Sequence, residues 1–210
     1  MKPSIHRARI VVLASGNGTN LQALIDGCAR DAINGEIVGV LSDRDGAFAL
    51  ERAQRETIPT RVVAFAPFRG QEKARESFDA ALANAVSEFA PDLVVLAGFM
   101  RILSDSFLGR FPMRIINLHP ALPGQFAGKN AIERAWQAAQ AGEISETGVM
   151  VHIVTKEMDG GPVLGTAKVS IDGHDSLLSL TEAIHAAEHF LLVQVVGEQC
   201  ANPSAPLKTQ

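Results

Sequence analysis

The stretch RIVVLASGNGTNLQALIDGCAR, Arg9–Arg30, is a β-branched run, a glycine-rich turn and then apolar residues at helical spacing. The run predicts a strand at Arg9–Ala14, and the spacing predicts a helix at Asn20–Arg30. The buried face of this helix would carry Leu21, Leu24 and Ile25. A second apolar strand, EIVGVLS, follows at Glu36–Ser42. A strand, a helix and a strand in this order predict a βαβ unit with parallel strands.

The same alternation continues along the rest of the chain. Further strands are predicted at Arg61–Phe65, Pro91–Gly98, Met113–Asn117 and Thr147–Val154. Further helices are predicted from about Asp45 and over Gln71–Phe89, Ala131–Gly142 and Ser176–Val196. We therefore predict an α/β fold with a doubly wound, mostly parallel open sheet and helices on both faces. This fold would form a single domain over residues 1–200, followed by a proline-rich, disordered tail over 201–210.

Composition and charge count against several classes of protein. Hydrophobic residues make up 47% of the 210 positions, which is enough to bury a core. A formal charge of −4 does not suit a surface that tracks nucleic-acid phosphates. Cys28 and Cys200 have no metal-ligand spacing, and no segment approaches the ~20 apolar residues that span a membrane. We expect a cytoplasmic protein with no metal, nucleic-acid or membrane partner.

The glycine-rich turn SGNGTN, Ser15–Asn20, is the first candidate site. Gly16 and Gly18 permit close approach of a ligand to the backbone, and the N–H groups of the helix that follows favour an anion such as phosphate. The segment is not a Walker loop, and Leu21 stands where the G-x-G-x-x-G fingerprint needs its third glycine. A tight structural turn is the alternative interpretation.

Two further candidates follow later strands. Asn117 and His119 alternate at the end of a buried strand, so both side chains can face one side, where they suit an oxyanion and proton transfer. Asp159 lies in a sharp turn after the strand at Thr147–Val154. Both candidates have a purely structural alternative. However, the glycine-rich turn, the Asn117–His119 pair and Asp159 all fall on one predicted sheet edge. No serine or cysteine nucleophile is evident, which favours direct transfer between two bound substrates.

Five segments make residues 9–190 resemble the phosphoribosylglycinamide formyltransferases, a family of folate-dependent enzymes of purine biosynthesis. They are VVLASGNGTNLQALID, DLVVLAGFMRIL, INLHP, HIVTKEMDGGPV and IHAAEH, in the family's order. The resemblance implies a Rossmann-like formyltransferase fold. It also implies transfer of the formyl group of N10-formyltetrahydrofolate to the amine of glycinamide ribonucleotide. These two substrates are the implied partners, and a homodimer is an open option.

The resemblance also implies roles for residues at the matching positions. The ribonucleotide phosphate would be held by Gly16, Asn17, Gly18, Thr19 and Asn20, and the same substrate would be bound by Glu188. The folate would contact Arg75, Met100, Arg101, Ile102 and Leu103. The catalytic residues would be Asn117, His119 and Asp159. In this hypothesis Asn117 and a protonated His119 hold the oxyanion, while Asp159 orients that imidazole and helps to move the amine proton to N10.

The chain departs from the family pattern in two places. After His119 the usual Ser-Leu-Leu-Pro run reads ALPGQFAG, with Ala121 in place of the serine, so this loop is expected to differ in shape. Extra residues near AAQAG lengthen the following helix or turn, away from the chemistry. The three catalytic positions keep the family's residues.

Alternatives remain for the function and for three histidines. Asp43 and Asp45 lie where a nicotinamide-binding protein would carry its ribose-binding acid, and a non-catalytic nucleotide sensor would need only the phosphate loop. Methionyl-tRNA formyltransferase and formyltetrahydrofolate hydrolase share a similar core but carry a further domain that we do not expect here. His152, in an apolar strand, is interpreted as a packed core histidine. His185 and His189, beside Glu188, are interpreted as structural, with substrate contact as the alternative.

Overall fold

The computed structural model describes residues 7–201 and Leu207. Within them lie seven strands: β1 (Ala8–Leu13), β2 (Gly35–Ser42), β3 (Thr60–Val62), β4 (Leu93–Leu96), β5 (Ile115–His119), β6 (Glu146–Ile153) and β7 (Val163–Ser170). The α-helices are α1 (Thr19–Ala29), α2 (Phe48–Arg55), α3 (Ala74–Ser87), α4 (Asp105–Leu108), α5 (Ala131–Gln140) and α6 (Leu177–Cys200). A 3-10 turn at Ala66–Phe68 precedes α3.

The strands form one sheet in the order β3-β2-β1-β4-β5-β6-β7. Neighbours are parallel from β3 to β5, and the last two pairings are antiparallel. The chain winds outward from β1 to β3 and then returns to β4 on the other side of β1. At such a reversal the loops that leave the two central strands diverge and open a crevice at the carboxyl ends of the strands. The predicted doubly wound, mostly parallel sheet is confirmed.

Strand β1 contributes to a separate apolar core on each face of the sheet. Ile10 and Val12 are fully buried in the core that α1, α2, α5 and α6 cover. Val11 and Leu13 are fully buried in the core that α3 and α4 cover. Burial on both faces explains why β1 reads as an unbroken apolar run, and it confirms the prediction of helices on both sides.

Most predicted elements are present, with bounds that differ by a few residues. The residues predicted for the buried face of α1, Leu21, Leu24 and Ile25, are all buried. The strand β7 was not predicted because glycine, alanine and lysine weaken its apolar pattern, although its later positions alternate between covered and exposed as in an edge strand. The one-turn helix α4 was missed because four residues are too few to show helical spacing.

We expected Asp159 to follow a strand that ends at the carboxyl edge of the sheet. Its place beside Asn117 is as expected, but the strand before it is antiparallel and ends at the other edge. Strand β6 runs antiparallel to β5, so the residues after Ile153 leave from the opposite end of the sheet. The segment 154–159 then folds back toward β5, as the hydrogen bond from the Asn117 side chain to Asp159 shows. The acid therefore reaches the expected place by a loop and not by the end of a strand.

Some expectations lie outside the described residues or remain predictions. The predicted disordered tail over 201–210 falls outside the described residues except at Ala201 and Leu207. The division into one domain over 1–200 stays a prediction. No helix in the described part of the chain is both long enough and apolar enough to cross a membrane.

Candidate active site

A cleft of about 1030 Å³ opens where the winding of the sheet reverses, between the loops that follow β1 and β4. The glycine-rich turn forms one end of it, and the segment after β4 forms another wall. The end of β5, the loop before α5, the segment 154–159 and one side of α6 complete the lining. Every predicted site residue except Arg75 lines this cleft.

In the glycine-rich turn, the N–H groups of residues 16–20 have no acceptor among the residues that the structure describes. Gly18, the residue before the helix, has a φ of +76°, and no side chain in the described part of the chain caps the helix there. A side chain at Gly18 would lie within 2.7 Å of Ala49, whereas no atom lies within 4 Å of the place where Gly16 would carry one. Gly18 is therefore needed by the fold itself, and Gly16 leaves open space that a ligand can enter.

Helix α6 places one buried carboxyl group against this turn. Glu188 is 6% exposed, and its Oε2 accepts a hydrogen bond of 3.3 Å from the side-chain amide of Asn20. Burial raises the pKa of Glu188 to about 7, although the Asn20 hydrogen bond acts in the opposite direction. The amide oxygen of Asn20 is buried and has no hydrogen-bond partner within the described residues. A protonated Glu188 could supply that partner if the Asn20 amide turned over.

Asn117 is held by two acceptors that lie on different segments. Its Nδ2 is 3.1 Å from Nε2 of His152 and 3.2 Å from Oδ1 of Asp159. Nδ1 of His152 lies 3.0 Å from the carbonyl oxygen of Ile153, which can only accept, so we assign the donor role to Nδ1 and the acceptor role to Nε2. Both hydrogens of the Asn117 amide are then engaged, and the amide orientation is fixed.

Asp159 is the centre of this cluster. Its Oδ2 accepts a hydrogen bond of 2.8 Å from the backbone N–H of Gly128, and that oxygen is 3.5 Å from Nδ1 of His119. Burial alone would raise the pKa of Asp159, but the hydrogen bond from the Gly128 N–H and the nearby His119 lower it below its usual range. The carboxylate is therefore ionised at neutral pH.

His119 lies between two oxygen atoms. Nδ1 faces Asp159, and Nε2 is 3.2 Å from the carbonyl oxygen of Phe126. Burial lowers the pKa of His119, against the opposing effects of Asp159 and of that carbonyl group. A lowered pKa favours a neutral imidazole in the resting protein, and the predicted role of a protonated His119 at the oxyanion stays a prediction. An imidazolium formed during a reaction would find an acceptor at each nitrogen.

The segment after β4 is held from behind by α3. Arg75 donates from Nε to the carbonyl oxygen of Ile102 at 3.1 Å, and Asp79 accepts from the backbone N–H of Ser104 at 2.6 Å. These contacts position the wall that Met100 and Ile102 present to the cleft. The predicted folate contact of Arg75 stays a prediction, because its side chain does not line the cleft described here.

Arg101 and Asp43 form a pair beneath the same wall. Nε of Arg101 lies 2.7 Å from Oδ2 of Asp43, and its guanidinium stands over the Phe65 ring at 4.4 Å. The other oxygen of Asp43 accepts a hydrogen bond of 2.6 Å from Ser15. Asp43 is thus buried and engaged, so it is not available for the ribose of a nicotinamide cofactor. This arrangement removes the main support for that alternative.

The sequence did not indicate that His152 lies next to the candidate catalytic residues. We interpreted it as a core histidine, and it is indeed 2% exposed, but it contacts Asn117 and lies 3.5 Å from Asp159. The contact arises because His152 pairs directly with Asn117 across the antiparallel β5–β6 ladder. Strand pairing and register of this kind are not readable from one sequence. His185 also lines the cleft, which favours the alternative of substrate contact for it.

Comparisons of the sequence and of the fold with known proteins both find formyltransferases. The formyl transferase family matches residues 8–196. Phosphoribosylglycinamide formyltransferase from Schizosaccharomyces pombe is 46% identical over 201 residues, which cover 91% of this chain and 96% of that protein. The enzyme of the same name from Escherichia coli is 41% identical and matches 90% and 85% of the two chains. The chain belongs to the phosphoribosylglycinamide formyltransferase family.

Solved structures of the family share the architecture. Glycinamide ribonucleotide transformylase 1 from Geobacillus kaustophilus superimposes with a TM-score of 0.85 at 34% identity, over 93% of this chain and 100% of that chain. Phosphoribosylglycinamide formyltransferase from Coxiella burnetii gives 0.83 at 40% identity, over 93% and 88%. The altered loop after His119 reaches the cleft of this formyltransferase at Gly128, which lines the cleft and donates to Asp159. Ala121 is fully buried, and the AAQAG segment lies at the end of α5.

Replacement of Glu188 by Gln should make stability less sensitive to pH. The pKa of Glu188 is about 7 in the folded protein and 4.5 for the free side chain. Between these values the folded state binds one proton more than the unfolded state, so wild-type stability falls as pH rises from 4.5 to 7 and then levels off. This fall in the free energy of unfolding amounts to about 3 kcal/mol, and Glu188→Gln should not show it.

Urea unfolding at pH 4 and at pH 8 measures the difference. We expect Glu188→Gln to be more stable than wild type at pH 8 and the advantage to shrink at pH 4. Glu198→Gln, an exposed carboxyl group on the same helix, is the control and should show no such change. An equal stability difference between Glu188→Gln and wild type at both pH values would contradict the raised pKa.

Proposed function

We propose that this chain transfers the formyl group of N10-formyltetrahydrofolate to the amine of glycinamide ribonucleotide, in de novo purine biosynthesis. The amine would attack directly, without a covalent enzyme intermediate. The observation that carries the proposal is that one cleft joins an anion-binding turn to the cluster of Asn117, His119 and Asp159. Membership of the family supports the same activity.

The cleft has features that fit both substrates. The turn at residues 16–20 offers free N–H groups for the ribonucleotide phosphate, and the Glu188 carboxyl group can accept hydrogen bonds from sugar hydroxyls. Met100, Ile102 and Met158 are each about half exposed and line the cleft. Flexible, apolar side chains of this kind suit the flat rings of a folate. A non-catalytic nucleotide sensor would need neither this apolar part of the cleft nor the cluster of His119 and Asp159.

In the proposed reaction His119 carries the proton from the amine to N10, and Asp159 stabilises the charged ring. The amine nitrogen forms a bond to the formyl carbon, the carbonyl oxygen becomes negative, and the bond from that carbon to N10 then breaks. The proton lost by the amine passes to neutral His119 and is returned to N10 as it leaves. Asp159 and the Phe126 carbonyl group stabilise the imidazolium that forms in between.

The proposed role of Asn117 requires a change of partner. Its amide hydrogens point at His152 and Asp159, so it can donate to the oxyanion only by releasing one of them. The longer of these contacts, to Asp159, is the one we expect to weaken when the imidazolium draws the carboxylate toward it. Asn117 would then contribute where charge develops in the transition state, which is where such a donor lowers the barrier.

The proposed function is tested by mixing the protein with N10-formyltetrahydrofolate and glycinamide ribonucleotide. We expect tetrahydrofolate to form, as followed by its absorbance, only when the ribonucleotide is present. NAD(H) should show no saturable binding in a parallel titration, because Asp43 is engaged with Arg101 and Ser15. Folded protein that gives no ribonucleotide-dependent turnover would overturn the assignment.

Replacement of Asp159 by Asn should separate chemistry from binding. Asn keeps the shape of the side chain but removes the charge that stabilises the His119 imidazolium, so kcat and kcat/KM should fall together by about a hundredfold. The Asp159 carboxylate raises the pKa of His119, so its loss lowers that pKa further. If neutral His119 is the required base, the acid limb of the pH–rate profile should therefore move to lower pH.

Steady-state kinetics from pH 5 to 9 measures both effects. Glu146→Gln, which removes an exposed carboxylate at the other end of β6, is the control and should leave kcat and the profile unchanged. Near-normal kcat together with an unaltered profile in Asp159→Asn would make Asp159 a turn residue. An acid limb that moves to higher pH would instead contradict the role of neutral His119 as the base.

A further inference from the structure

Arg52 lies on α2, outside the cleft lining, and contacts the glycine-rich turn from behind. Its Nε donates to the backbone oxygen of Asn17 at 2.9 Å, and its Nη2 donates to the side-chain Oδ1 of the same residue at 2.9 Å. The guanidinium fork is planar and rigid, so two hydrogen bonds to one residue fix its backbone and its side chain together. The guanidinium also lies 4.9 Å from the centre of the Phe48 ring, which restricts its own movement.

Helix α2 anchors the preceding peptide as well. The backbone N–H of Ala49 donates to the carbonyl oxygen of Gly16 at 3.1 Å. Two successive carbonyl groups, those of Gly16 and Asn17, are therefore directed at α2. In a planar trans peptide the C=O group and the N–H group of the next residue point in opposite directions. The N–H groups of Asn17 and Gly18 are thus turned away from α2 and toward the cleft.

These two N–H groups have no acceptor among the residues that the structure describes. Successive free N–H groups in a turn with a left-handed residue form a concave site for an anion. The Gly18 backbone has this left-handed conformation, and Gly18 also packs against Ala49 of α2. The direction of the N–H groups therefore depends on α2, and the only side chain of α2 that holds the turn by hydrogen bonds, within the described residues, is that of Arg52.

We propose that Arg52 is a positioning residue for the phosphate of the ribonucleotide. Its guanidinium fixes Asn17 so that the turn presents preformed N–H donors to the phosphate. Neither the family motifs nor the cleft lining points to this residue, because it acts through Asn17 and not by contact with substrate. The inference rests on the proposed function, since it assigns the phosphate of that substrate to this turn.

Arg55 offers a matched control on the same helix. Its guanidinium lies 5.2 Å from the same Phe48 ring, and it forms an exposed ion pair with Glu51 at 3.6 Å. It has no hydrogen bond to the glycine-rich turn within the described residues. Arg55→Gln therefore removes an equal charge and a similar ring contact from α2, but it leaves the Asn17 anchor intact.

The test compares the wild type, Arg52→Gln, Arg52→Lys and Arg55→Gln. We expect Arg52→Gln to raise the KM for glycinamide ribonucleotide about tenfold, with kcat and the KM for formylfolate within about twofold of wild type. Arg52→Lys keeps the charge but cannot make both hydrogen bonds, so it should also raise this KM. Arg55→Gln should behave as wild type. All four proteins should be fully folded at the assay temperature, as thermal unfolding checks, and a small loss of Tm in the Arg52 variants is compatible with the loss of its hydrogen bonds.

The dephosphorylated substrate, glycinamide ribonucleoside, separates positioning from a general structural effect. Its KM should be the same in wild type and Arg52→Gln, whereas a distorted cleft would raise both values. Inorganic phosphate, used as a competitive inhibitor, should lose affinity in Arg52→Gln by about the same factor as the ribonucleotide.

Each other outcome overturns the inference in a recognisable way. An Arg52→Gln protein with the ribonucleotide KM of Arg55→Gln shows that the anchor does not serve the phosphate. Wild-type behaviour of Arg52→Lys shows that charge alone matters, and an equal loss for the ribonucleoside shows a general structural role. Wild-type protein that has no ribonucleotide-dependent turnover would overturn the proposed function itself, and this inference with it.

Discussion

The partly buried carboxylate of Asp159 contacts every other group in the proposed reaction centre. It accepts hydrogen bonds from the Asn117 side chain and from the Gly128 backbone, and it faces His119 and His152. A charge in such a place is stable only because the N–H groups of Asn117 and Gly128 donate to it and His119 lies beside it. The same contacts join β5, β6 and the loop before α5, so the geometry of the cluster depends on one ion being present and paired.

Some segments line the cleft directly, and helices outside the lining hold those segments in place. Two such lining segments are the turn after β1 and the segment after β4. Arg52 of α2 holds the first, and Arg75 and Asp79 of α3 hold the second. The reversal of winding between β1 and β4 leaves room for both loops to diverge. In the proposed function an anionic substrate and a flat apolar one lie side by side in this cleft, next to His119 and Asp159.

The sequence predicted the parts of this structure that depend on local pattern. Apolar runs and helical spacing located the central strands and α1, and the glycine-rich turn was placed between β1 and α1, while its anion site stays a prediction. The contacts that hold the site together were not predictable, because they join distant segments. His152 meets Asn117 through antiparallel register, Arg101 meets Asp43 across 58 residues, and Arg52 reaches back to Asn17 across 35. Asp159 was assigned correctly to the cleft, but the topological reason was wrong.

Direct transfer between two bound substrates is the central claim of this account. It is tested most directly with N10-formyltetrahydrofolate labelled at the formyl carbon, by quenching a single turnover and separating protein from small molecules. The account predicts that the protein carries no label at any time and that label leaves the folate only when glycinamide ribonucleotide is present, appearing in the formylated ribonucleotide. Label that attaches to the protein without the ribonucleotide, and then passes to it when it is added, would contradict the account.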